Sequence, residues 1–589
     1  MILENLLRVL ADHCLGLLAA VFVIGGLWAV GKQAIRWFRW DLTGGHICIG
    51  LGFALFYPFF FVFAGLFPGQ AAYFFYACFA VALGISQAEI RELLRRLTLR
   101  HLRFVPLVTF LFLPFLFRLF SPPTNFDGVS FYVPAAQWIH HFGLLFNPYL
   151  PNYTTMPQGA EYLFSLSYGL GGIPGILLMD SLFTYLLLDL FLSTARSYLS
   201  FRWAVVAVCL ALLIPETIFF VFGSGKVDTL GTYLFFLGFT LVLRFRDSRR
   251  ATTPLPVLSA ALAVKYTNWI LLALPLAVLP LYLLYRRRYR PAVFAALLPL
   301  LFTLPTLFRN QAEVNNPFAP LFLTGKETRF LLTHGSMPDE VVPAPDRQPM
   351  TQKRSHTRRY HLLVHLFKRY ISHGIVGLLL LTGLIRAAGR LSMPDFWPWY
   401  LFLVLSFAPW YCWLGGSPQP LRFLWPFLLV LILFVTRTAA WWLRQLSPHA
   451  RTWGARSAVA GLLVPLVGYS YYRYGVSIPQ FFQSLSMPLP AWYAAIGQDY
   501  LAASATIQEQ GYHHAAVYYL NDVALSFFEP TDYGNLPGPE TLLRNIESGG
   551  ATRTDETYLF GNLGEGRPPA VPDNLIFRFG DYCLAGTER

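Results

Sequence analysis

The chain has 589 residues, of which 55% are hydrophobic and 13% charged, with a mean hydropathy of +0.47. A soluble protein carries about 25% charge, so the composition argues against a water-soluble multidomain enzyme and for a polytopic membrane protein, as does an aromatic content of 17%. The net charge of +14 would suggest nucleic acid in a soluble chain, but here its placement in short loops carries the meaning, and no nucleic-acid partner is expected.

Apolar stretches long enough to cross a bilayer fall near 15–31, 46–67, 70–86, 104–120, 174–195, 203–223, 229–244, 253–266, 268–285, 291–308, 373–391, 396–414, 421–438 and 456–471, which makes about fourteen spans. The predicted fold is therefore an all-α polytopic membrane protein. The first stretch reads as a retained helix rather than a signal peptide, because Trp28, Lys32, Arg36 and Trp37 follow it where a small-residue cleavage site would stand. Between the fourth and fifth spans, Val133, Trp138, Phe142 and Leu145 alternate with polar Gln137, His140 and His141, the pattern of a helix lying in the interface. The pair of spans inside Leu255–Leu284 is interrupted by Lys265-Tyr266-Thr267-Asn268. From Tyr471 onward the composition turns polar, with strand-like runs at Ala515–Leu520 and Leu575–Phe579 and turn signals at Asp532-Tyr533-Gly534 and Leu536-Pro537-Gly538. The chain thus divides into N-terminal membrane helices (1–103), a membrane module (104–471) and a small C-terminal α/β domain (472–589). The cysteines, Cys14, Cys48, Cys78, Cys209, Cys412 and Cys583, are scattered without metal-like spacing, which speaks against a zinc site or a disulfide framework.

Arginines crowd four short loops: Arg91 to Arg103, Arg244 to Arg250, Arg286 to Arg290 and Arg437 to Arg456. The positive-inside rule makes these loops cytoplasmic. Counting spans from them places the segment 121–158, the turn at 224–228, the loop 309–372 and the tail on the opposite side, and Ser121–Gln158 contains no Lys or Arg. The expected location is the cytoplasmic (inner) membrane, with the C-terminal domain extracytoplasmic.

The residues able to carry chemistry gather at that outer level. Asp127 follows a span on a Gly-flanked turn, where a carboxylate can take a proton from an attacking hydroxyl beside a lipid-borne leaving group; taken by itself, a lone Asp-Gly more often marks a turn or helix cap. Asp228, with Lys226, lies in a short turn and also fits the N-terminus of the next helix, and Glu161 at a helix start fits a macrodipole contact. Lys265 within an apolar run requires an aqueous cavity, a partner charge or the interface. Together with Arg309 and Arg422 it puts three cations at the level of the acids, a constellation suited to holding a phosphate.

In order, Phe126-Asp127-Gly128 with Tyr132-Val133-Pro134, Pro157-Gln158-Gly159-Ala160-Glu161, Lys226-Val227-Asp228, Val264-Lys265-Tyr266-Thr267, Arg309-Asn310 with Asn316-Pro317-Phe318-Ala319-Pro320, and Leu421-Arg422-Phe423-Leu424-Trp425-Pro426 resemble the motif succession of bacterial type C (GT-C) glycosyltransferases, relatives of the protein mannosyltransferase and aminoarabinose transferase superfamily, over residues 104–440. The resemblance implies interfacial helices in the first outer loop, Asp127 as base or acceptor-positioning group, Asp228 and, more weakly, Glu161 beside it, and Lys265, Arg309 and Arg422 as donor-phosphate ligands, with Tyr132, Lys226, Tyr266 and Asn310 in support. Two positions depart from the family pattern: Val133 follows Tyr132 where histidine is usual, and Asn315 replaces the glycine before the asparagine-proline motif. The implied activity is inverting transfer of a sugar from a polyprenyl-phosphate donor in the membrane lipid to a glycan, lipid or protein acceptor on the outer face. No metal ligand set is assigned, and a divalent ion remains an open requirement. A lipid or polysaccharide flippase would instead show hydropathy repeats with matching broken helices, and a noncatalytic subunit of an envelope complex would tolerate the change at Val133.

Overall fold

The computed structural model describes residues 2–38, 40, 44–96, 105–125, 128–143, 156–214, 222–245, 254–318, 373–386, 396–414, 423–443, 448–496, 498–509, 514–517, 557–562, 575–579 and 582–585. Its helices are α1 (Ile2–Trp37), α2 (Gly45–Leu66), α3 (Ala71–Ile85), α4 (Gln87–Arg96), α5 (Val105–Phe120), α6 (Val133–Phe142), α7 (Gly159–Tyr198), α8 (Phe201–Leu213), α9 (Asp228–Phe245), α10 (Leu255–Ala260), α11 (Tyr266–Tyr285), α12 (Tyr289–Val314), α13 (His373–Arg386), α14 (Phe396–Leu414), α15 (Trp425–Leu443), α16 (Pro448–Tyr474), α17 (Ser477–Ser484), α18 (Leu489–Ala495) and α19 (Asp499–Glu509). Six of them, α1, α2, α7, α11, α12 and α15, are long and apolar enough to cross a membrane, the signature of a multi-pass membrane protein. Shorter apolar helices, among them α3, α8 and α13, stand beside these six.

Four short strands follow: β1 (His514–Val517), β2 (Thr557–Asn562), β3 (Leu575–Phe579) and β4 (Tyr582–Ala585). They form one sheet in the order β1-β2-β4-β3, parallel between β1 and β2 and antiparallel elsewhere. The turn signals between 532 and 538 lie outside the described residues.

Two predicted spans take a different form. The span expected near 174–195 belongs to α7, which begins at Gly159 and breaks at Gly172 (φ 60°, ψ −157°) just before Pro174; the ring of Pro174 cannot continue the preceding turn. The span expected near 253–266 is the six-residue α10 followed by a 3-10 turn at Ala261–Ala263. Six helical residues rise only about 9 Å, so this element enters the bundle and stops inside it.

α1 lies along α2 and α7 and forms one wall of the bundle. Its crossing with α2 depends on two residues without side chains: a Cβ at Gly31 would overlap the Cys48 carbonyl, and one at Gly52 would overlap that of Leu27. Small residues of this kind let helix backbones touch in a medium where apolar burial gives little drive. Helix α6 packs on α7, burying Val133, Ala136, Trp138 and Ile139. Gly52→Ala should therefore lower the melting temperature in detergent by an amount corresponding to about 1–3 kcal/mol of overpacking, whereas Gly377→Ala, where an added Cβ meets nothing within 4 Å, should be neutral. Equal melting temperatures for the two variants would show that the α1–α2 crossing is not close-packed.

Candidate functional site

Lys265 stands where the membrane helix is broken. After the 3-10 turn its backbone is extended (φ −158°, ψ 141°) and α11 starts at the next residue. A break at membrane depth frees backbone carbonyls that must find donors, and two side chains from the first turn of α11 supply them: Asn268 Nδ2 donates to Ala261 O at 2.9 Å and Trp269 Nε1 to Leu262 O at 2.6 Å. The break is thereby fixed. It projects the Lys265 ammonium onto Asp228, to which it is hydrogen-bonded, with the Phe423 ring centroid 4.5 Å away. The Lys265 side chain is 12% exposed and that of Asp228 2%, so the pair is held largely out of water.

Asp228 opens α9, where a negative charge suits the helix N-terminus. The turn before it, Gly223-Ser224-Gly225-Lys226, takes left-handed φ values at Gly223 and Gly225 (62° and 69°), which glycine adopts without strain. Its amides are met from inside α7: Asp180 Oδ2 accepts the N–H of Ser224 at 3.1 Å and of Gly225 at 3.2 Å. Sequence reasoning missed Asp180. Its signal was a lone acid in the apolar run Leu177–Leu188, the kind of residue that marks a polar site within a membrane segment. Lys226 is buried in the same turn.

Glu161, Tyr132 and Lys265 line one cleft together with Phe131, Trp138 and Gln158. The cleft is narrow, about 20 Å³, space for one or two waters. Glu161 is buried in its wall, and its Oε2 has no hydrogen-bond partner among the described residues. Arg309 stands behind this wall. Its guanidinium donates to the side-chain oxygen of Gln158, to Met156 O at 2.7 Å and to Asn310 Oδ1 at 3.3 Å, so it shapes the rim at Met156–Gln158. Asn310 in turn donates to Tyr266 Oη at 3.2 Å. The structure thus brings together Glu161, Asp228, Lys265, Arg309, Tyr266, Asn310, Tyr132 and Lys226, while Asp127 and Arg422 lie outside the described residues.

The segment leading to Asp127 is pinned from two sides. A Cβ at Gly128 would overlap the Ser224 carbonyl, so the π-helical turn Gly128–Tyr132 lies on the turn that carries Lys226. From the tail, the Tyr493 hydroxyl donates to Pro123 O at 3.0 Å, and Trp492, Tyr493 and Leu501 pack around Val129.

Val133 and Asn315 each have a local structural role. Val133 is buried with a methyl against Gly225, filling space beside the turn. Asn315 adopts the left-handed conformation (φ 53°, ψ 25°) that ends α12, the role for which asparagine is the common substitute for glycine. On α6, burial and then the neighbouring His141 hold the His140 imidazole below its usual range, so His140 presents a neutral ring to Tyr73 and Tyr168. Among the described residues no three His, Cys, Asp or Glu side chains converge into a metal-ligand set.

No family model, curated protein or solved structure matches this chain.

Asp180→Leu should leave the two amides of the 224–225 turn without an acceptor, at about 1–3 kcal/mol each, and should speed hydrogen exchange there; Asp180→Asn, which keeps one oxygen, should lose roughly half as much. Indistinguishable exchange at Ser224 and Gly225 in both variants and the wild type would mean that the turn holds itself.

Proposed function

We propose that the protein is a membrane glycosyltransferase that moves a sugar from a polyprenyl-phosphate donor to an acceptor hydroxyl on the outer face of the cytoplasmic membrane. In this reading the chain has about fourteen spans, with the cleft opening outward, the arginine-rich loops cytoplasmic and residues 472–589 forming an extracytoplasmic α/β domain. The observation that carries it is the Lys265 side chain at a broken membrane helix, lining a cleft whose wall also holds the buried Glu161 carboxyl. Such an arrangement provides a cation for a lipid phosphate beside an apolar span, and it fits the GT-C resemblance of the motifs that build it.

The reaction written on these residues balances simply. The acceptor O–H gives its proton to Asp127, its oxygen forms a bond to the anomeric carbon, and the anomeric carbon–phosphate oxygen bond breaks on the opposite face. The electron pair leaves with the polyprenyl phosphate, whose added charge Lys265 stabilises, with Arg422 as a second cation. Arg309 acts through Gln158 and Met156, and Glu161 accepts a hydrogen bond from a sugar or acceptor hydroxyl. Because the cleft is narrow, donor entry requires its rim to open. The tail, pinned on Val129 and Pro123, holds the loop that bears Asp127.

Lys265→Met keeps the bulk of the stem and removes the charge, and should weaken binding of a polyprenyl-phosphate donor by about tenfold or more with a smaller effect on melting temperature. Asp127→Asn should abolish transfer with donor binding intact. Unchanged donor affinity in the first variant would remove the phosphate site, and full activity in the second would remove Asp127 from the chemistry. Protease added to intact spheroplasts should cleave the tail; protection until lysis would reverse the orientation.

A further inference from the structure

α5 runs into Ser121-Pro122-Pro123, and the two prolines leave its last turn short of donors. A helix carbonyl accepts the N–H three or four residues ahead; for Leu119 O both of those residues are prolines, which have no N–H. This carbonyl needs a donor from elsewhere. It finds one on α1, where the His13 imidazole lies against it. His13 Nε2 stands 3.0 Å from Leu119 O, and Nδ1 stands 2.7 Å from Val9 O, one turn back on α1.

Two carbonyl oxygens at hydrogen-bond distance define the state of the ring. A carbonyl oxygen only accepts, so each ring nitrogen must carry a proton to bond it, and a neutral imidazole has a single N–H. The imidazolium makes both bonds; the neutral ring sets a nitrogen lone pair against one of the oxygens. Two further features suit a cation there. Leu119 lies in the last turn of α5, where the helix dipole favours positive charge, and the centroid of the Phe120 ring is 4.7 Å from that of His13, within cation–π range. Among the described residues, the charged or titratable groups around this site are Arg8, Asp12 and Cys14 on α1, Arg118 on α5, Tyr471 on α16 and Tyr493 on α18. The turn of α7 that meets α1, Gly171–Gly175, carries none, and neither does α17.

We propose that His13 is a proton-dependent latch: as the imidazolium it ties α1 to the end of α5 and so orders Ser121–Asn125, the stretch that leads to Asp127. The same stretch is held again four residues beyond Leu119, where Pro123 O accepts the Tyr493 hydroxyl, so His13 supplies one of two anchors. Because the ordered form binds the proton more tightly than the released form, the latch is closed in acid and loosens as the pH rises. The inference does not depend on the sugar-transfer reading. In the orientation proposed above, the latch lies outside the cytoplasm and responds to the pH there.

The test follows amide hydrogen exchange in the full-length protein in neutral detergent at about pH 5 and about pH 9, on either side of the range in which histidines change charge, with each rate corrected for its intrinsic pH dependence. The Ser121 N–H donates to Phe117 O and Arg118 O and reports the end of α5. In the wild type its exchange should be about tenfold faster at the higher pH, whereas His13→Gln, which cannot titrate, should change by less than about twofold. Phe120→Leu removes the ring beside the cation and should lower the pH of half-release by roughly half a unit. Nitrogen NMR shifts of the His13 ring, identified by its absence from His13→Gln, should show both nitrogens protonated at about pH 5. A neutral His13 ring at that pH, or a pH dependence at Ser121 that neither His13→Gln nor Phe120→Leu alters, overturns the proposal.

Discussion

The bilayer's refusal to hydrate a backbone is the constraint on which the rest of this molecule depends. Every interruption of a membrane helix must be repaired from within the protein. At Lys265 the repair comes from Asn268 and Trp269, one turn ahead, which take the carbonyls of Ala261 and Leu262. At the 223–226 turn it comes from Asp180 on a neighbouring helix. Both repaired segments, the break at Lys265 and the turn that leads into α9, border the cleft, whose other walls are the start of α7, the segment 156–158 and the turn Gly128–Tyr132 with α6. The polar site follows from one repaired helix break and one repaired turn beside it.

The Lys265–Asp228 pair follows from the same geometry. Taking two charges out of water costs several kcal/mol per ion, and their attraction offsets this only with good geometry and further contacts. Asp228 has the positive end of α9 behind it, and Lys265 has the face of Phe423. The pair is thus supported from both sides, but it also neutralises the cation that a phosphate would seek. Arg309 is committed differently, to the oxygens of Gln158, Met156 and Asn310, so its charge serves the shape of the rim. Of the described basic residues singled out by sequence, Lys265 is the one on the wall of the cleft.

Much of this was legible in the sequence, and the limits have physical causes. Long apolar runs announced the membrane helices, and an apolar run cut by Lys265 announced the break, because composition alone reports those features. The strand Leu575–Phe579 stands where β-branched and aromatic residues cluster. Apolar content could not report that Leu255–Ala263 stops within the bundle or that α7 starts at Gly159, since an interior helix and a lipid-facing one look alike in composition. Pairings such as Asp228 with Lys265, or Asp180 with the amides of Ser224 and Gly225, join residues far apart in the chain and leave no local pattern. Asn315 shows a feature that sequence reading alone did not find: its left-handed backbone ends α12.

The distribution of charge separates the two ends of the bundle by mechanism. Around the cleft, the cations Lys226, Lys265 and Arg309 stand near the acids Glu161, Asp180 and Asp228 among the described residues. The excess behind the net charge of +14 lies elsewhere, including the exposed arginines Arg196, Arg202 and Arg244 at the far end of α7, α8 and α9. Long-range attraction acts through net charge, whereas a neutral cluster acts only through contact and alignment. At the cleft, Lys265 is already paired with Asp228, so any anion that approached it would have to compete with that carboxylate.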